Sequence, residues 1–130
     1  MKQLKFAKTC QELAVYKASF RFQQDVFRLS KSFPKEETYS LTDQIRRSSR
    51  SIRANLAEGW SKRLYPAHFL SKLTDADGEL QETLHWLRTA YACDYVDRTE
   101  CSALASKAEE IGKMLGGMIT NHTAFCPTAH

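Results

Sequence analysis

The sequence lacks any hydrophobic run long enough to cross a membrane, since no stretch approaches the roughly 18 apolar residues that a spanning helix needs. Its opening residues, MKQLKFAKTC, lack the apolar segment and the small-residue cleavage site of a signal peptide. We therefore expect a cytoplasmic protein with no membrane contact. Glycine and proline are scarce, at five and three residues, and no strand-like alternation persists, which favours an all-α chain.

Motifs that carry catalytic or metal chemistry are also missing. The four cysteines are scattered without a CxxC pair, so we expect free thiols. The segment ETLH, Glu82 to His85, matches the Glu-x-x-His of di-iron bundles, but such sites need a second copy and two more inward glutamates. No Ser-His-Asp set and no glycine-rich phosphate loop after a strand are present. The sequence predicts no catalytic residue, no metal, no cofactor and no enzymatic activity.

Helical patterning is what the chain has in quantity. Its 130 residues are 42% hydrophobic and carry a net charge of +4, which fits one mildly basic globular domain. Apolar residues recur at helical spacing in segments joined by short connections, which predicts an antiparallel up-down four-helix bundle, ordered over about residues 9–120. We predict helices from Thr9 to before Pro34, from after Ser40 to Gly59, from Pro66 to near Asp94 and from Asp97 onwards, with a loose tail over residues 121–130.

Local signals mark several ends and faces of these helices. Thr9 with Glu12, Ser40 with Asp43, and Asp97 with Glu100 have capping-pair spacing, and Gly59 suits a left-handed C-terminal stop. In the first helix the aromatic residues Tyr16, Phe20 and Phe27 are predicted to belong to a broad buried face. In the third helix a 3-4 spacing predicts a buried seam of Leu70, Leu73, Asp77, Leu80, Leu84, Leu87 and Tyr91.

The second helix, within SLTDQIRRSSRSIRANLAEGW, is unusually polar and divides into three faces on a helical wheel. The core face contains Leu41, Ile45, Ile52 and Leu56, together with Ser48 and Ser49. A second face, which we name the arginine row, contains Arg46, Arg50 and Arg53 within roughly 60° of one another. A third face, which we name the polar stripe, contains Gln44, Arg47, Ser51, Asn55 and Glu58.

The arginine row supports two interpretations. Its fork-shaped cations suit phosphates of RNA or DNA, with Lys62 and Arg63 as further candidates beyond the helix end. Alternatively it is a solvated flank whose arginine stems cover apolar surface and pair with acids on a neighbouring helix, such as Asp75, Asp77 or Glu79, and spacing alone favours this alternative. The nearby aromatic residues Trp60, Tyr65 and Trp86 suit base stacking, although packing at the bundle's end or at an interface is favoured.

The polar stripe has the composition of a network that satisfies its own hydrogen bonds. It combines amides, a hydroxyl, a guanidinium and a carboxylate without any lysine, whereas solvated faces are usually rich in lysine and glutamate. Arg47 is expected to pair with Glu58 or with an acid elsewhere, and Glu79 and Glu82 are expected to pair with Arg47 or Arg46. A network between helices or subunits is favoured over a ligand pocket.

The segment SFPKEETYSLTDQIRRSSRSIRANLAEG, Ser32 to Gly59, resembles the signature of the bacterial four-helix-bundle family encoded in intervening sequences of large-subunit ribosomal RNA genes. The resemblance extends from ELAVYKAS near residue 12 through HFLSKLTDADGELQETLHWLRTAYACDYV to about residue 119. The family's motif positions correspond to Gln44, Arg46, Arg47, Ser51, Asn55, Glu58 and Gly59.

This resemblance implies a ring-like homopentamer. It also implies kinship with the accessory variability proteins of diversity-generating retroelements, which are basic pentameric bundles that bind a reverse transcriptase and nucleic acid. The polar stripe is then expected at or near the subunit contact, while the arginine row gains weight as a nucleic-acid surface. The sequence therefore predicts a non-enzymatic oligomeric scaffold that binds RNA or DNA, and the alternative is an oligomeric protein-interaction module without nucleic-acid contact.

Overall fold

The structure is a computed structural model that describes residues 7–127, and these residues contain four α-helices. Each helix packs against the next and α4 also packs against α1, which closes an antiparallel four-helix bundle and confirms the predicted fold class. Residues 1–6 and the last three residues of the predicted tail lie outside the described part. The helices are α1 (Ala14–Ser30), α2 (Asp43–Ser61), α3 (Pro66–Ala92) and α4 (Arg98–Thr120).

The core face of α2 is buried as the helical wheel predicts, including its two serines. Ser48 and Ser49 are fully buried, and each hydroxyl contacts the carbonyl oxygen three residues earlier in its own helix. Ser48 Oγ also lies 2.8 Å from Thr83 Oγ1 of α3, so the two hydroxyls satisfy each other inside the core. Small polar side chains thus let α2 and α3 pack closely without leaving an unpaired group at this contact.

The buried seam of α3 differs from the predicted one. Leu73, Leu80 and Leu87 are buried as expected, but Tyr91 is exposed and Leu70, Asp77 and Leu84 are only partly buried. At three of the four positions that differ, the buried residue is a small one (Ala76, Thr83 or Ala90), and at the fourth Phe69 is buried instead of Leu70. The observed seam consists of Phe69, Leu73, Ala76, Leu80, Thr83, Leu87 and Ala90.

The predicted start of the first helix at Thr9 is wrong. Cys10–Glu12 form a separate 3-10 turn, and the Thr9 side chain makes no capping hydrogen bond. Leu13 has an extended conformation and is buried, so its side chain enters the core at the cost of helical continuity. Glu12 accepts a hydrogen bond from the backbone N–H of Lys8 at 2.8 Å instead of capping Thr9.

The predicted Ser40–Asp43 cap is also wrong, because a π-helical turn over Thr38–Thr42 leads directly into α2 and no side-chain cap is present. Gly59 does not terminate α2, which continues to Ser61, and Gly59 has no positive φ. Instead Gly59 is buried where α2 crosses α3, and an added Cβ would lie 2.9 Å from Lys72 Cβ. This glycine therefore serves close helix packing.

Two other end signals are confirmed. Pro66 occupies the first turn of α3, and α4 begins with a capping box in which the Glu100 N–H donates to Asp97 Oδ1 at 2.7 Å. The Asp97 N–H donates in return to Glu100 Oε1 at 2.9 Å. The connection before this box turns at Asp94, whose φ of 63° is positive.

The tail after α4 is packed rather than loose over its first residues. His122–Phe125 form a 3-10 turn, and Phe125 is buried against the bundle's end. Its ring centroid lies 6.4 Å from that of Trp60 and 6.1 Å from that of Phe69. An aromatic plug therefore covers the end of the core where α2 stops and α3 begins.

Candidate nucleic-acid interface

The arginine row of α2 lies against aromatic rings of α1. Arg46 Cζ lies 4.8 Å and Arg50 Cζ 5.4 Å from the centroid of the Phe27 ring. Lys31 Nζ approaches the same ring at 4.9 Å. Three cations thus surround one half-buried aromatic side chain, an arrangement that cation–π attraction supports even though the charges repel one another.

Arg53, at the other end of the row, makes closer aromatic contacts. Its Cζ lies 3.8 Å from the Tyr16 centroid and 4.5 Å from the Phe20 centroid. We name Tyr16, Phe20 and Phe27 the aromatic shelf. Phe20 is 41% exposed and the other two are only partly buried, so the prediction of a fully buried face is wrong for these residues. The shelf carries arginine stems rather than core side chains.

No carboxylate neutralises the row within residues 7–127: none of its three arginines forms a salt bridge there. Arg46 Nε donates to the Ser30 hydroxyl at 2.7 Å, which fixes its position without compensating its charge. Arg53 Nε is buried and has no acceptor among the described residues. The pairing of the row with Asp75, Asp77 or Glu79 is not observed among these residues, whereas the cover of apolar surface expected of a solvated flank is observed over the aromatic rings of α1.

A shallow cleft of about 530 Å³ opens along the N-terminal half of the row. Its lining includes the cationic side chains of Arg46, Arg47 and Arg50, beside the hydroxyl of Ser51. Asp43 is the single acid among the lining residues. The surface is therefore open, mostly cationic and wide enough for an anionic ligand larger than one phosphate group.

The two basic residues beyond the end of α2 differ from the row. Arg63 lies over the Trp60 ring, with its Cζ 3.7 Å from the ring centroid. Arg63 Nε donates to the Trp60 carbonyl at 2.9 Å and Arg63 Nη1 to the Phe125 carbonyl at 3.1 Å. Arg63 therefore links the tail to the end of α2. The prediction that Trp60 packs at the end of the bundle is confirmed. Lys62 is exposed, and neither residue joins the row.

Arg47 lines the cleft beside the row but pairs with acids of α3, one of the pairings that the sequence predicts. Its Nη1 lies 3.1 Å from Glu79 Oε2, and its Nη2 pairs with Glu82. The Trp86 N–H also donates to Glu82 Oε2 at 3.1 Å. The hydrogen bond to Glu82, despite a smaller opposing effect of burial, raises the pKa of Arg47 above its usual value.

The remaining polar stripe forms no buried network among residues 7–127. Ser51 Oγ donates to the Arg47 carbonyl at 2.8 Å and Asn55 Nδ2 to the Ser51 carbonyl at 2.9 Å, so both bond to their own helix. Glu58 pairs with Lys72 Nζ at 2.8 Å rather than with Arg47, and this hydrogen bond lowers the pKa of Glu58. The stripe thus joins α2 to α3 through exposed ion pairs, with Gln44 half-buried near its start.

Other candidate chemistry remains dispersed. Over residues 7–127 no group of three or more His, Cys, Asp or Glu side chains is placed to hold a metal ion. His85 is exposed beside Trp86, at 4.6 Å between ring centroids. The four cysteines are free thiols, as expected, and burial raises the pKa of Cys10 to about 11. None of the described helices is both long and apolar enough to cross a membrane.

The family model of the 23S rRNA-intervening sequence proteins matches residues 11–117. The chain belongs to this family. Among solved structures, a Bacteroides thetaiotaomicron protein described as of unknown function and from the S23 ribosomal protein family is 30% identical to this family member. The match covers 82% of this chain and 98% of that one, with a TM-score of 0.74. Comparison with curated protein sequences gives no match.

Sequence reasoning missed the aromatic shelf of this family member. Tyr16, Phe20 and Phe27 share one face of α1 at spacings of four and seven residues, which is equally typical of a core stripe. The sequence of the facing helix distinguishes a core stripe from an aromatic shelf, because an arginine row opposite aromatic rings favours cation–π contacts over apolar burial. That pairing requires the register of α1 against α2, which one helical wheel does not supply.

Proposed function

We propose that this protein is a non-enzymatic oligomeric scaffold that binds the phosphates of nucleic acid through the arginine row, in the cytoplasm. The proposal rests on one observation. The guanidinium groups of Arg46, Arg50 and Arg53 have no carboxylate partner among residues 7–127 and lie over aromatic rings instead. Unneutralised guanidinium groups in a row suit an anionic polymer, because each forms charge-assisted, fork-shaped hydrogen bonds to phosphate oxygens.

The contrast with Arg47 strengthens this argument. Arg47 lies beside Arg46 in sequence, yet Glu79 and Glu82 compensate its charge. The fold therefore neutralises the arginine that joins α2 to α3 and leaves the row uncompensated. Holding cations on aromatic rings also reduces the side-chain entropy that binding must remove.

An oligomer would repeat this surface, and the family resemblance implies a homopentamer with a reverse transcriptase or another RNA-linked process as its setting. Leu70, Leu84 and Tyr91 lie at multiples of seven residues on one face of α3 and are partly or largely exposed, with Asp77 between Leu70 and Leu84. Leu84 also packs against the core. We propose that this face contributes to the contact between copies, in addition to the polar stripe, which the resemblance implies at or near that contact.

Replacing Leu84 with Glu tests this contact, because a charge at an apolar interface loses its solvation on association. We expect the variant to have a lower assembly mass than the wild-type protein in native mass spectrometry. Gln81→Glu, at an exposed position one turn earlier, adds the same charge and should leave the mass unchanged. A wild-type protein with the mass of one 14.9 kDa chain would contradict the oligomer.

Binding itself is tested with the triple variant Arg46→Gln, Arg50→Gln and Arg53→Gln. The matched control replaces three exposed cations elsewhere, Arg88, Arg98 and Lys113, with Gln, so that net charge falls equally. We expect the row variant to lose most of its affinity for RNA and DNA in fluorescence anisotropy at low salt, while the control retains it. Circular dichroism and mass should match the wild type. Equal affinities of the two variants, or no wild-type binding, would refute the proposal.

A further inference from the structure

Beside the arginine row, the exposed Phe20 ring and an adjoining cleft supply features that bare phosphate binding does not require. We propose that this surface selects single-stranded nucleic acid over duplex, with the strand's phosphates on the arginine row and an unpaired base stacked on Phe20. This inference rests on the proposed function, since it specifies which form of nucleic acid the same surface binds.

The position of α2 in the bundle argues against duplex readout. A recognition helix enters the DNA major groove, which is about 12 Å wide, and it must project from its domain to do so. α2 instead packs against both α1 and α3, which leaves only part of its surface free to enter a groove. The major groove of duplex RNA is narrower still and excludes side chains. A single strand laid across the surface can contact all three arginines together.

The length of the row suits a short segment of one strand. Arg46 and Arg53 are seven residues apart, which is about 10 Å along the axis of α2. Sequence-tolerant single-strand sites combine such a basic track with aromatic side chains on which bases stack. Phe20, at the Arg53 end of the row, supplies an exposed ring at that place.

A cleft of about 590 Å³ between α1 and α4 adjoins the same ring. Phe20 lines it together with Gln24, Glu110 and Lys107, which offer both hydrogen-bond donors and acceptors to the edge of a base. Asp25 accepts from Lys107 Nζ at 2.6 Å and forms a polar wall. Bases paired within a duplex cannot turn into such a cleft, whereas those of a flexible strand can.

The test measures affinity by anisotropy for oligo(U) RNA and oligo(dT) DNA of about 12 nucleotides, within the usual range of such sites. Matched probes are an RNA duplex, a DNA duplex and an abasic DNA strand of the same length. At one salt concentration we expect both single strands to bind more tightly than either duplex. The abasic strand should bind about tenfold or more weakly than oligo(dT), because it keeps the phosphates and lacks the bases.

Phe20→Leu keeps an apolar side chain and removes the stacking surface. We expect it to lower oligo(dT) affinity to that of the abasic strand, while abasic binding stays unchanged. Phe20→Tyr should restore the difference, which separates stacking from a general effect on folding. Tyr91→Leu, at a similarly exposed aromatic residue on α3, should change neither affinity.

The outcomes separate this inference from the proposed function. Duplexes bound as tightly as single strands, or an equal loss for oligo(dT) and abasic DNA in Phe20→Leu, would overturn single-strand selection alone. If the triple arginine variant binds every probe as the wild type does, the proposed function fails, and this inference fails with it.

Discussion

At the scale of single residues, Arg53 packs on an aromatic ring and is also proposed to bind phosphate. A substitution can separate these two roles. Its stem and guanidinium pack on Tyr16, while its buried Nε lacks an acceptor. Arg53→Met keeps the packing and removes an unsatisfied polar group, whose burial costs about 1–3 kcal/mol. We expect the free energy of unfolding in urea to stay equal or rise, while affinity for oligo(dT) falls severalfold. A large loss of stability would contradict this account and show that the cation–π contacts of the guanidinium outweigh the cost of burying Nε.

Tyr95 gives the bundle a pH dependence at high pH. Its hydroxyl donates to Glu37 Oε2 at 2.7 Å, and this hydrogen bond, together with burial, raises the pKa of Tyr95 from 10.0 to about 12. Because the folded pKa exceeds the unfolded one, its stabilisation is complete below pH 10 and disappears as pH rises towards 12. We expect Tyr95→Phe to lose stability less steeply over that window than the wild type does.

The measurement for Tyr95→Phe is the urea midpoint at several pH values between 8 and about 11.5, short of the pKa cited above. Cys10 also has a raised pKa and contributes to the wild-type slope, so only the difference between the two proteins is informative. Tyr65→Phe, at an exposed tyrosine, serves as the control. Parallel pH profiles for the wild type and Tyr95→Phe would contradict the role given to Glu37.

The wheel of α2 predicted which of its residues turn inward, but the sequence left the partner of Glu79 and Glu82 open between Arg47 and Arg46. Ser48 and Ser49 are buried, and Arg47 pairs with Glu79 and Glu82. The angular positions of residues around one helix determine which side chains share a face, because neighbours three or four residues apart lie on the same side. They do not reveal what stands opposite, so the contact of Arg46 with Phe27 was not predictable.

At the scale of helices, the approach of α2 to α3 depends on the absence of a side chain at Gly59. Replacing a glycine inside a helix with alanine usually stabilises it by about 1 kcal/mol. At position 59 the new Cβ would lie 2.9 Å from Lys72 Cβ and 3.5 Å from the Phe69 ring, so the helices must separate. We expect Gly59→Ala to destabilise the protein by about 1–3 kcal/mol, the usual cost of overpacking.

Gly78 supplies the matched control for that prediction. It lies within α3, and a Cβ there would meet nothing within 4 Å. Gly78→Ala should therefore raise the free energy of unfolding, by up to about 1 kcal/mol. Opposite signs for the two variants in urea unfolding would attribute the loss at Gly59 to the helix crossing. A gain at both positions would show that α2 and α3 adjust without cost.

Signals for the ends of helices succeeded where no tertiary contact competes with the local turn. The Asp97–Glu100 box forms because only three residues separate its members and no tertiary contact competes. The same spacing at Thr9 failed, since burial of Leu13 imposes an extended residue before α1. In α3 the predicted seam contains Asp77 and Leu84, whereas the observed seam has a small residue such as Ala76 at the neighbouring position.

At the scale of the whole molecule, the salt dependence of binding tests how many copies of the row contact one strand. For single strands, log affinity falls with log salt concentration with a slope of about −0.7 per phosphate neutralised. One row of three arginines therefore predicts a slope of about −2. In the proposed oligomer, a strand that passes across several subunits would add the same amount for each further row it contacts, because every subunit of a homo-oligomer presents an identical surface.

We accordingly expect the slope to depend on strand length. An oligo(dT) of about 6 nucleotides, near the lower limit for one site, should give a slope near −2, and one of about 30 nucleotides should give a steeper slope. In the variant with Arg46, Arg50 and Arg53 replaced by Gln, both slopes should approach zero, whereas the variant at Arg88, Arg98 and Lys113 should keep them. Equal slopes for the two lengths would mean that one strand contacts a single row, which would remove the multivalent advantage expected of an oligomer.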